Sequence, residues 1–194
     1  MQFIQLGLII LSLVPTLATL LLAYQIMRAG FSALGKPSIN SALFYYSKSV
    51  VALVFALLII VSFFPGFFLA MPLLIQNDIA AVQKLMSMIF LFAGNILLLP
   101  AYYTMGIFTR VGLPTSEHVL QTEGVYRVTR NPMYTSFFFF FAAGFLLIPS
   151  ILLAVLMLVA LILHHRIIKK EEVYLKSAFG EVYLDYKSQV ARYL

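Results

Sequence analysis

Four stretches without a single Asp, Glu, Lys or Arg dominate the chain: residues 3–27, 49–76, 85–109 and 133–163. A helix that crosses a bilayer needs about 20 apolar residues, each advancing it by about 1.5 Å. Each of the first three runs suffices for one span, although the second is interrupted by Pro65 and Pro72. The fourth carries Pro149-Ser150 near its middle and reads as two shorter helices, each about 25 Å or less, joined by a tight turn. The expected fold is an all-α integral membrane protein. Five transmembrane helices end in a C-terminal helical hairpin, followed by an amphipathic cytoplasmic tail.

Composition points the same way. Of 194 residues, 62% are hydrophobic and 10% charged, whereas a soluble domain is nearer half apolar and a quarter charged. One small core has no room for that apolar surplus, so lipid is the expected solvent. The absence of cysteine excludes disulfides, thiolate metal sites, cysteine nucleophiles and lipidated cysteines. A net charge of +6 in so apolar a chain fits loops lying on an anionic leaflet better than a nucleic-acid surface. Membrane lipids are therefore expected partners, and nucleic acid is not.

The basic residues also orient the chain. Arg28, Lys36 and Lys48 follow the first run, Arg110, Arg127 and Arg130 the third, and Arg166, Lys169, Lys170, Lys176, Lys187 and Arg192 the last. Lys84 stands alone in the second loop. The positive-inside rule places the twelve in the cytoplasm and the N-terminus outside. The first run lacks a basic leading region and is too long for a cleavable signal.

Reactive side chains are unevenly spread. From Arg110 onward lie all three histidines and every acidic residue except Asp78. Residues 1–109 read as a three-helix membrane scaffold and residues 110–194 as the functional region. Three histidines are too few for a histidine-rich di-iron site, and adjacent His164 and His165 point about 100° apart on a helix, so no metal is expected. Neither a Gly-rich dinucleotide fingerprint nor a phosphate-binding loop occurs. In the tail, His164, Ile168, Glu171, Leu175 and Ala178 recur at helical spacing on one face. Gly180 marks a plausible stop.

Two motifs then stand on either side of the hairpin: "HVLQTEGVYRVTRNPMY" before it and "EEVYLKSAFGEVYLDY" after it. Together, over about residues 110–194, they resemble the isoprenylcysteine carboxyl methyltransferase family of integral-membrane methyltransferases. That family carries an Arg-His-Pro-x-Tyr stretch before a hairpin, then a Glu-Glu pair and a Phe-Gly-x-x-Tyr-x-x-Tyr segment. Here these read Arg130-Asn131-Pro132-Met133-Tyr134, Glu171-Glu172, and Phe179-Gly180 through Tyr183 and Tyr186. Asn131 stands where the family has histidine, and Ser136 where a glycine often follows.

The resemblance implies S-adenosylmethionine as methyl donor and S-adenosylhomocysteine as product, bound on the cytoplasmic side. By carry-over, His118, Val119, Leu120, Gln121, Tyr126, Asn131, Pro132, Met133, Tyr134 and Glu171 would line the cofactor pocket. Pro132 keeps Asn131 out of helical geometry and so exposes its polar groups. Glu171 can accept hydrogen bonds from a cofactor amine or ribose. Arg166, Glu172 and Arg130 are the candidate catalytic residues, with Arg166 orienting an acceptor carboxylate and Glu172 fixing that arginine. Three functional readings remain open: methylation of a lipophilic, isoprenylcysteine-like carboxylate, methylation of a phospholipid amino group, and a non-catalytic membrane scaffold.

Overall fold

A computed structural model describes residues 2–32, 35–109, 112 and 119–194. Five α-helices and three short 3-10 turns follow one another: α1 (Gln2–Arg28), α2 (Ser41–Phe63), a turn at Pro65–Ala70, α3 (Ala81–Met105), turns at Gly106–Phe108 and Gly124–Arg127, α4 (Pro132–Leu147) and α5 (Ile151–Gln189). Among the described residues there is no β-strand.

Four of these helices, α1, α2, α3 and α5, are long and apolar enough to cross a membrane. The five-span expectation meets a shorter element at α4, whose 16 residues extend about 24 Å, below the roughly 30 Å of a hydrocarbon core. By contrast, α5 has 39 residues and runs about 58 Å. It joins the second half of the hairpin to the tail. Gly180, with φ 53° and ψ −126°, interrupts it, a backbone state open almost solely to glycine.

Local chemistry sets the helix ends. Asn40 starts α2, its Oδ1 accepting from the amides of Ala42 and Leu43 at 3.0 and 3.4 Å. Pro132 occupies the first turn of α4, where its missing N–H costs nothing. The tight turn expected at Pro149-Ser150 is present between α4 and α5, and it docks on the segment after α2. Ser150 Oγ donates to the Pro72 carbonyl at 2.6 Å, while the Ile75 and Ile151 amides reach the carbonyls of Pro149 and Leu73.

Close packing holds α4 against α3. A Cβ on Gly94 of α3 would lie 2.8 Å from the Phe140 ring, so the glycine lets the phenylalanine seat against the α3 backbone. Ser87 Oγ donates to the Ala143 carbonyl at 3.0 Å, and Asn95 Nδ2 bridges to the Leu11 carbonyl of α1 at 3.0 Å. The core these contacts enclose includes Val54, Leu58, Leu91, Leu98, Phe140 and Ile148. Outside it, Leu6, Leu17 and Leu20 of α1 and Val155, Leu158 and Ile162 of α5 are exposed. Such an unbroken apolar exterior matches lipid rather than water.

Candidate functional site

The polar residues converge where the N-terminus of α4, the middle of α5 and the C-terminal end of α3 meet. They surround a cavity of about 260 Å³, near the lower end of the range for small-molecule sites. Val119, Leu120 and Gln121 enter it from the segment after α3, and Gln121 Nε2 is tied to the Thr104 carbonyl at 3.1 Å. Gly124, at φ 59°, passes so near Thr104 that a Cβ would sit 3.0 Å from its hydroxyl oxygen. The following turn brings in Tyr126, and α4 contributes Pro132, Met133, Tyr134 and Phe137. From α5 come Ile168, Glu171 and Leu175, three residues of the face expected from the helical spacing of the tail, together with Glu172.

Two polar chains run through this wall. In the first, Lys48 Nζ of α2 donates to Tyr134 Oη at 3.4 Å, and Tyr134 donates to Glu171 Oε1 at 2.9 Å. The same ammonium lies 4.5 Å from the centre of the Tyr134 ring and 5.3 Å from that of Phe44. In the second, Glu172 is held by two arginines. Arg192 makes a bidentate contact at 2.8 and 2.7 Å, and Arg130 donates at 3.0 Å to Oε1, which it shares with Arg192 Nε. Arg130 also reaches the Lys187 carbonyl at 3.1 Å.

The C-terminal residues strap this second chain down. The Ala191 carbonyl accepts from the Arg130 amide at 2.9 Å, and the Arg192 carbonyl accepts from Thr129 Oγ1 and Asn131 Nδ2, both at 3.1 Å. Tyr193 Oη pairs with His165 Nδ1 at 2.9 Å, and its ring meets Phe138 edge-on at 5.4 Å. The Glu172 contact raises the Arg192 pKa, and burial raises that of the Tyr193 phenol. Both groups therefore keep their protons in the physiological range.

Tyr126 and Arg130 on the cavity wall, and His164 behind it, carry unspent hydrogen-bonding capacity. Tyr126 is buried, and its hydroxyl has no partner among the described residues. Burial, with Tyr186 and Glu171 nearby, pushes its pKa up, so it remains a neutral donor. Buried hydroxyls almost always have partners. Arg130 Nε is likewise unpartnered. His164, buried against Tyr134 and Phe137 at 5.4 Å from each ring, uses neither ring nitrogen.

Most of the sequence-derived candidates thus share one cavity: Val119, Leu120, Gln121, Tyr126, Arg130, Asn131, Pro132, Met133, Tyr134, Glu171 and Glu172. His118 lies outside the described residues. Arg166 is exposed and is not part of the cavity wall. The expected Glu172–Arg166 pairing is replaced by Arg130 and Arg192, because six residues along a helix turn two side chains about 120° apart. Asn131 spends its amide nitrogen on the strap rather than offering it to a ligand.

Sequence reasoning missed Lys48 and Arg192. Lys48 carried a signal, since it is the one charge in α2 and an ionisable residue inside a span points to a functional contact. The folding back of Arg192 is a long-range event that no local pattern announces.

A family model described as phospholipid methyltransferase matches residues 82–182, which takes in nearly all of α3, the first motif, the hairpin and the second motif as far as Val182, with Tyr183 and Tyr186 beyond it. No curated protein and no solved structure matches the chain. With more than half its length matched, this membrane protein belongs to the phospholipid methyltransferase family, which includes the isoprenylcysteine carboxyl methyltransferase-like membrane methyltransferases.

Proposed function

We propose that the chain transfers a methyl group from S-adenosylmethionine to a lipophilic acceptor at the cytoplasmic membrane face, the acceptor group being most simply an isoprenylcysteine-like carboxylate. The observation that carries this reading is a cavity with unspent polar groups set directly against an apolar hairpin. A water-borne donor and a lipid-borne acceptor would meet at such a boundary. The basic loops orient this face to the cytoplasm, with α4 completing the hairpin as a short fifth apolar helix and the N-terminus outside.

The residues present fit the cofactor. Tyr126 has a buried hydroxyl to give. Glu171 offers carboxylate oxygens for an amine or ribose hydroxyls, and Tyr134 fixes its position. Leu120, Met133, Ile168 and Leu175 supply an apolar slot suited to a planar base. When bound, S-adenosylmethionine supplies a methyl group on a positively charged sulfur, which an ionised carboxylate accepts without giving up a proton. The protein's part is then alignment in a dry, preorganised site. Glu172, fully engaged by Arg130 and Arg192, positions the 129–131 segment rather than moving protons.

The family description favours a second reading, methylation of a phospholipid amino group. An ammonium acceptor must first lose a proton, and Glu172 is occupied by its two arginines. His164 is buried behind Tyr134 and is not part of the cavity wall, so neither candidate base stands free at the acceptor, which is why the carboxylate reading stands first. Labelled methyl transfer to prenylcysteine analogues and to phosphatidylethanolamine by the purified protein separates the two. Transfer to neither, together with no cofactor binding, would leave a non-catalytic scaffold.

A further inference from the structure

Lys48 is an anomaly that neither motif nor the family match explains. It lies on α2, before the matched residues, and about 10 Å along the helix from Ser41. Among the described residues its ammonium makes no ion pair. Its hydrogen bond to Tyr134 is long, at 3.4 Å, and the two rings beneath it offer only their π faces. A cation at this depth is costly unless something anionic meets it.

The carboxylates nearby do not fill that role. Glu172 is taken by two arginines, and Glu171, although its charge attracts Lys48, makes no direct ion pair with it among the described residues and is bridged to it by the Tyr134 hydroxyl. Lys48 therefore has N–H donors to spare on the wall of the cavity. It enters that wall from the scaffold helices, whereas the groups suited to the cofactor come from α4, α5 and the Gly124–Arg127 turn.

We propose that Lys48, seated over the Tyr134 ring, forms an anion-receiving subsite for the acceptor. Its ligand is an oxyanion on a lipid chain, either the carboxylate of a lipidated acceptor or the phosphodiester of a phospholipid. The inference rests on the methyl-transfer reading for its purpose, but its binding chemistry is testable independently. It also assigns a role to α2, which the two motifs leave as bare scaffold.

The test measures binding of palmitate, hexadecyl phosphate and hexadecanol by calorimetry at pH 8, in an uncharged detergent with saturating S-adenosylhomocysteine. The wild-type protein should bind at least one of the anions about ten- to a hundred-fold more tightly than the alcohol, the usual worth of a charged hydrogen bond. Lys48→Met should abolish that preference and lower S-adenosylhomocysteine affinity by a much smaller factor, while Lys48→Arg should retain most of it.

No anion preference in the wild type would overturn the subsite without recourse to any variant. A preference surviving in Lys48→Met would do the same, and so would a loss of cofactor affinity in that variant as large as its loss of anion affinity. The acceptor then identifies the source: KM for a prenylcysteine analogue or for phosphatidylethanolamine should rise in Lys48→Met by the same factor. Intact anion binding without methyl transfer to either would count against the enzymatic reading and leave the subsite standing.

Discussion

The Tyr134 hydroxyl donates to Glu171 Oε1 at 2.9 Å and so ties the first turn of α4 to the middle of α5. The carboxylate is thereby held in place before any ligand arrives. Tyr134→Phe keeps the ring under Lys48 but removes this donor. S-adenosylhomocysteine affinity should fall about ten-fold, since a lost hydrogen bond to a charged group is worth roughly 1.5 kcal/mol or more. Isothermal titration on the folded variant is the check, and unchanged affinity would place the cofactor elsewhere.

Glu172 and its two arginines make a structural prediction. The Arg130 and Glu172 side chains are 7% and 10% exposed, against 31% for Arg192. Glu172→Ala strands two guanidinium groups and should cost about 3 kcal/mol or more of stability. Arg192→Met, which leaves the Arg130 contact in place and removes a more solvated partner, should cost less. Denaturant unfolding in detergent ranks the two variants, and the reverse order would mean that the strap, rather than the buried pair, dominates.

Most of the wall was legible because it is built from short local motifs, namely the pre-proline Asn131, the Tyr134 that follows and the face running from Ile168 through Glu171 to Leu175. What was not legible depends on chain segments far apart in sequence. Arg192 meets Glu172 only because residues 190–193 fold back along α5, and Lys48 meets Tyr134 only because α2 packs beside α4. The hairpin turn at Pro149-Ser150 was readable from proline chemistry. The brevity of α4 follows from where Pro132 and Pro149 fall, and spacing therefore limited its span.

Arg166 is exposed on the outer face of α5. We propose that it anchors to lipid phosphates, for which charge alone suffices. Arg166→Lys should keep most of the single-turnover methylation rate at saturating cofactor. A large loss on this charge-preserving change would instead indicate a planar, two-pronged grip on the acceptor.

Gly94 sets how closely α3 and α4 approach. Adding a methyl group places it 2.8 Å from a Phe140 ring carbon, so Gly94→Ala should destabilise the pair by about 1–3 kcal/mol. Thermal unfolding in detergent measures it, and an unchanged midpoint would show that the ring has room to shift.

Orientation is checked with single cysteines in this cysteine-free chain. Lys36 and Ser188 should label from the cytoplasmic side, and Gln2 and Asn77 from the opposite side, all four being exposed in the structure. Labelling of Lys36 and Ser188 from opposite faces would contradict the arrangement, because it would separate the α2 end of the cavity from the α5 end.

The most direct test of the central claim is equilibrium binding of S-adenosylhomocysteine to the purified protein, with wild type beside Glu171→Ala. Specific one-site binding is expected in the wild type, weakened about ten- to a hundred-fold when the carboxylate is removed. Absence of binding in the wild type, or equal affinity in a folded Glu171→Ala variant, would contradict a methyl-donor site in this cavity.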